Sequence, residues 1–199
     1  MNPFEKHVNK VKKLAGIYKK ILNKGASDAA VQKFQKAIKL DIPAEFIDFY
    51  KVCNGSKDDH VVDIEEMTFL SLEEVVRDKK MWDDILKDKQ RDGEFFCWHN
   101  DWLPFADDHD GDTFFIDTTG KATGKKGRVL HRSNDTCEGD DLLLIAPSFK
   151  SFITGWVKRV EEEKIYFLSV DENDDNNDPV EDEFFEHESR TFVPFKGSE

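Results

Sequence analysis

Apolar residues fall into two kinds of pattern along this chain, and the helical kind is plainest near its end. From Phe149, the positions Phe152, Ile153, Trp156, Val157 and Val160 follow at offsets of three, four, seven, eight and eleven. That is one stripe of a 3.6-residue helix, opened by Pro147, and it predicts an amphipathic helix laid across a sheet. Phe4, Val8, Val11, Ala15, Tyr18 and Leu22 form a second stripe, with Lys12, Lys13, Lys19 and Lys20 largely off it and Gly25 ending the helix. Ser27 or Asp28 is placed to cap a helix running to Leu40, with Val31, Phe34 and Ile38 inward. In IPAEFIDFYKVCNG, Pro43 suits a first helical turn, Phe46, Ile47 and Tyr50 make the stripe, and Asn54-Gly55 reads as a stop. Ser71-Leu72-Glu73-Glu74 is a capping box. It opens a helix carrying Leu72, Val75, Val76, Trp82, Ile85 and Leu86 to about Gln90, broken by Gly93.

The other pattern is short apolar runs bounded by turn residues. In WLPFADDHDGDTFFIDTTG, Trp102–Ala106 and Thr113–Asp117 read as two strands. Between them Asp107, Asp108, His109, Asp110, Gly111 and Asp112 form an acidic reversal, where Gly111 supplies backbone freedom and aspartates bond their own backbone. Arg128–His131 is a strand that pairs most simply with Phe114–Asp117 as a hairpin. Leu142–Ile145 is another buried strand. Val61–Ile64, Met67–Leu70 and Ile165–Val170 are shorter candidates, and Phe95-Phe96-Cys97-Trp98 starts an apolar return. Asp171–Asp182 is an acidic, Asn-rich run, whereas Phe184-Phe185 and Phe192–Phe195 are apolar enough to dock back on the body.

Charge sharpens this picture. The net charge is −13, and residues 171–199 carry −9 of it, eleven acids against Arg190 and Lys196. Residues 1–24 hold seven lysines and one glutamate. An acidic molecule of this kind is a poor direct partner for nucleic acid and a good one for a basic protein. The 17 phenylalanines let a core be built from few positions. Cys53, Cys97 and Cys137 are too sparse for a disulfide framework and suggest a reducing compartment. No apolar run nears the ~20 residues of a membrane span, and the lysine-rich start does not have the form of a signal peptide. The expectation is a cytoplasmic protein away from the membrane.

The pieces IPAEFIDFYKVCNG, WLPFADDHDGDTFFIDTTG, GRVLHRS and APSFKSFITGWV, in this order over roughly residues 27–165, resemble the SUKH superfamily, which includes the fungal cell-wall assembly regulators. The resemblance rests chiefly on Pro43, Asn54, Gly55, Trp102, Pro104, Gly111, Asp112 and Asp117, with Trp156 in the last piece. It implies an α+β fold: a curved, mainly antiparallel sheet of about five to six strands with helices packed against it. Charge and pattern divide the chain into a basic helix at 1–26, a SUKH-like domain at 27–170 and an acidic extension at 171–199, the first and last lying outside the core that the resemblance covers. Bacterial members are commonly immunity proteins that neutralise a cognate toxin, often a nuclease; eukaryotic members act as regulatory scaffolds.

Several segments carry side chains capable of chemistry. Aligned on Gly111, an EF-hand loop would put Asp108 and Asp110 at positions three and five, but Ala106 at position one and Asp117 where glutamate belongs. Cys97, His99, His109, His131 and Cys137 match no zinc spacing. The loop Gly120–Gly127 is rich in glycine and lysine, yet lacks the phosphate-loop spacing and a following helix. No catalytic residue, metal or cofactor is therefore expected. The leading expectation is a non-enzymatic protein that occludes a basic toxin through Asp107, Asp108, His109, Asp110, Glu138, Asp140 and Asp141. The alternatives are a metal-dependent enzyme or regulator using the Asp107–Asp112 loop, and a scaffold.

Overall fold

Both periodicities become real elements in the computed structural model, which describes residues 22–57, 67–108, 110–133, 141–161 and 191–194. Among these residues the helices are α1 (Asp28–Ala37), α2 (Ala44–Tyr50), α3 (Leu72–Asp92) and α4 (Phe149–Glu161). The strands are β1 (Thr68–Phe69), β2 (Trp102–Asp107), β3 (Thr113–Asp117), β4 (Val129–Arg132), β5 (Asp141–Ala146) and β6 (Thr191–Pro194). The fold is α+β, with a six-stranded antiparallel sheet whose strands lie in chain order.

Local chemistry sets the helix ends. The Ser27 hydroxyl accepts from Ala30 N at 3.2 Å and caps α1. Ser71 and Glu74 complete the capping box of α3, whose far end closes on Gly93 at φ 74°. Pro43 stands one residue ahead of its expected place, as the N-cap of α2, in extended backbone (φ −56°, ψ 138°).

Asn54-Gly55 does something other than stop α2, which already ends at Tyr50. Asn54 Oδ1 accepts from Leu72 N at 3.0 Å, a second cap on α3 from 18 residues away. Gly55 (φ +80°) passes so close to the β1–α3 junction that a Cβ there would stand 2.6 Å from Ser71 N. Gly25 is likewise a close approach: its Cβ would sit 2.0 Å from the Lys51 carbonyl oxygen. Leu22, read as the last turn of a helix, forms an isolated antiparallel bridge with Ser56 instead.

The sheet is buried on both faces, which explains why its strands read as continuous apolar runs rather than alternating ones. On one face Leu103, Phe105, Phe114, Ile116 and Val129 pack against α1, α2, α4 and the start of α3. On the other, Trp102, Phe115, Leu130 and Leu142 pack against Leu86 of α3, Cys97 and Trp98. Trp102 stacks on Phe115 with ring centroids 4.1 Å apart, and Trp98 meets Trp102 edge-on at 5.5 Å; such pairs add about 0.5–1.5 kcal/mol beyond their burial. The expected hairpin is present, with Phe114 opposite His131 and Ile116 opposite Val129. Register shifts at Pro104/Ala106 and Val129/Leu130 bend the ladders.

β6 pairs with β5, Leu142 opposite Val193, so part of the C-terminal extension joins the sheet. The stripe Phe4–Tyr18, the strand candidates Val61–Ile64 and Ile165–Val170, and the run Asp171–Asp182 lie outside the described residues. No helix among the described residues is long and apolar enough to cross a membrane.

Candidate partner-binding surface

The acidic reversal joins β2 to β3, and its residues have separate tasks. Asp108 Oδ1 accepts from the backbone N–H of Asp110, Gly111 and Asp112 at 2.9, 3.0 and 2.9 Å. That oxygen holds the turn together, so Asp108 has a turn-forming task of its own. Asp107 lies at the end of β2, its backbone oxygen 3.2 Å from the Thr68 hydroxyl. Asp112 Oδ2 lies 3.2 Å from His131 Nε2. Asp110 is exposed at the tip. Among the described residues no group of three or more His, Cys, Asp or Glu is placed to hold a metal ion.

Asp117, at the other end of β3, is fully buried. Its Oδ1 accepts from Thr119 N and Gly120 N, and its Oδ2 from the N–H and hydroxyl of Thr123, the last at 2.6 Å. The basic glycine-bearing loop thus wraps its donors round a carboxylate of its own, the position an incoming phosphate would need. Trp102, Pro104 and Trp156 are core or strand residues; Trp156 meets Phe69 edge-on at 5.3 Å.

One residue missed in the sequence organises this end of the sheet. Arg132, 4% exposed, donates from Nη1 to the Gly111 carbonyl at 2.9 Å. Its Cζ lies 4.6 Å from the Trp82 ring centroid and 5.2 Å from that of Phe96. Trp82 in turn stacks on Phe96 and on Trp98. A guanidinium over such rings is worth about 0.5–2 kcal/mol. Period-two alternation along β4 was the available signal, since it sets Arg132 on the face of Leu130, among the aromatics.

Two large apolar side chains next in sequence to this stack are exposed. Phe95 is 56% exposed and Met81 44%, flanking Phe96 and Trp82 respectively. Arg132 therefore links an acidic turn to an aromatic shelf. The registers Asp107↔Thr113, Thr113↔Arg132 and His131↔Leu143 put the start of β5, Asp141, at the same end of the sheet as the turn. His109, Glu138 and Asp140 lie outside the described residues.

A family model described as SMI1 / KNR4 family (SUKH-1) matches residues 25–155. The match begins at Gly25, where the chain packs against Lys51, and ends within α4; it covers well over half of the 199 residues. No curated protein matches the chain.

Proposed function

The chain belongs to the SMI1/KNR4 family (SUKH-1), and from that membership we propose a non-enzymatic binding protein of the immunity type, one that neutralises a basic protein toxin by covering its working surface. The observation that carries this reading is the junction made by Arg132: an acidic turn with Asp110 at its tip on one side, and the shelf of Trp82 and Phe96, whose chain neighbours Met81 and Phe95 are exposed, on the other. Binding energy in protein interfaces concentrates on aromatic anchors at the centre of the patch, while surrounding charge steers encounter and sets register. Here the shelf supplies the anchor. The acids, Asp107 and Asp110 foremost with Asp141 at the same sheet end, face the lysines and arginines with which such a toxin would hold nucleic acid. Inhibition is steric and electrostatic and calls for no reacting group on this chain.

The test is a calorimetric titration of the purified chain against the toxin domain encoded beside its gene. A complex is expected whose affinity falls about tenfold or more in Asp110→Lys and again in Phe95→Ala, with circular dichroism unchanged. It should also weaken as salt rises, because exposed charges are screened. No complex, or undiminished affinity in both variants, sinks the reading.

A further inference from the structure

Asn54-Gly55 is the only asparagine–glycine pair in the chain. Such a pair is reactive by its covalent chemistry alone. The glycine nitrogen, with no side chain beside it, attacks the asparagine Cγ. A C–N bond forms, the Cγ–Nδ2 bond breaks, and ammonia leaves a succinimide ring behind. Water then opens the ring at Cγ to give aspartate, or at the main-chain carbonyl to give isoaspartate. The isoaspartyl backbone runs through Cβ and Cγ and is one carbon longer.

The fold fastens this pair from both flanks. Asn54 is half-buried, and its Oδ1 accepts from Leu72 N at 3.0 Å, which ties the side chain to the start of α3. Gly55 is buried at φ +80°, where an added Cβ would stand 2.6 Å from Ser71 N and 2.8 Å from the Phe69 oxygen. Its carbonyl accepts from Asn23 N at 3.0 Å. One residue on, Ser56 N donates to the Phe69 carbonyl at 2.8 Å, and Ser56 Oγ accepts from Phe69 N at 2.9 Å. Ring closure has to turn Cγ and the torsions around it against these ties.

We propose that Asn54-Gly55 is a deamidation site gated by the fold: shut in the native chain, open when the seam between residues 54–56 and the β1–α3 junction parts, and irreversible on its isoaspartyl branch. A site reached only through opening reacts in proportion to the open population. The two products then have different fates. Aspartate still offers an oxygen to Leu72 N, and its charge suits the amino end of a helix. Isoaspartate inserts a carbon beside Gly55, which has no room for a Cβ, and puts Ser56 out of step with Phe69. A chain that opens and takes that branch does not close again, so the pair records unfolding in its covalent structure.

The test follows the tryptic peptide Val52–Lys57 by mass spectrometry while the full chain stands in mildly alkaline buffer, with and without guanidinium. Aspartyl and isoaspartyl forms are told apart by retention time against synthetic peptides. Conversion should be at least about tenfold slower in the native chain than in the unfolded one. Ser56→Ala removes the acceptor of Phe69 N; with circular dichroism unchanged, it should deamidate severalfold faster than the native parent. After dilution from guanidinium, aspartyl chains should return to the folded monomer and isoaspartyl chains should be excluded from it. Asn54→Asp should fold with a thermal midpoint at or above the parent's. Equal rates in native and unfolded chains overturn the gate, as does a folded Ser56→Ala no faster than the parent. Isoaspartyl chains that refold as well as aspartyl ones overturn the irreversibility.

Discussion

Asp108 and Asp110 carry the same charge two positions apart, yet one builds the turn and the other faces outward. Three backbone N–H groups converge on Asp108 Oδ1; the sequence announces an aspartate bonding its own backbone here, but the path of the turn decides which one. Asp108→Ala should cost about 1–3 kcal/mol in urea unfolding, the range for removing a shared charged acceptor. Asp110→Lys should stay within about 0.5 kcal/mol, as a surface change does. Equal losses would contradict the division of labour. Asp101 shows a second environment effect. Burial opposes its ionisation, but the Thr119 hydroxyl, Lys121 and His99 outweigh that and hold its carboxyl below its ordinary value of 3.8. A carboxyl depressed by folding adds stability that is fully present above its unfolded value and lost as pH falls through the folded one. Lys121→Met raises the folded value, so acid unfolding followed by circular dichroism should begin at a higher pH than in the parent chain.

Among the elements, helices were the most readable because their evidence is local: a cap, a 3.6-residue stripe and a stop lie within one stretch. The capping box at Ser71, Gly93 after α3 and the stripe of α4 all stand where the sequence puts them. Asn54-Gly55 misled because its partners are distant. It looks like the end of α2, but its side chain and its missing Cβ both serve the start of α3. Arg132 escaped notice for the same reason, since its rings come from α3 and the segment before β2. Asn54→Ala should cost about 1 kcal/mol, the usual cost of losing a cap. Gly55→Ala should cost more, because it adds a left-handed backbone penalty to a 2.6 Å clash. A thermal scan of the two variants that reversed this order would show that the close approach is easily relaxed.

For the molecule as a whole, the sheet is shielded on both faces and so is vulnerable chiefly at its edges. At one edge β1 is only two residues long, and Ser56 occupies its backbone: Ser56 N donates to the Phe69 carbonyl and Phe69 N donates to Ser56 Oγ. At the other, β6 covers β5. Removing residues 191–199 bares the Leu142–Leu144 backbone, and unpaired strand edges invite pairing with other chains. The truncated chain should scatter more light with rising concentration, whereas an unchanged monomer mass would show that β6 guards nothing. The family resemblance could not foresee this strand, because β6 lies beyond residue 155, where the family match ends.

Because the six strands lie in the order in which the chain makes them, the centre of the sheet is wound from neighbours. The connections from β2 to β3, β3 to β4 and β4 to β5 are 5, 11 and 8 residues long. Closing such loops sacrifices little chain entropy, and contacts close in sequence speed folding. The Trp102–Ala146 ribbon is therefore the natural nucleus, on which α1, α2 and α4 condense afterwards. In stopped-flow experiments Phe115→Leu should slow refolding, while Val157→Ala should act mainly by hastening unfolding.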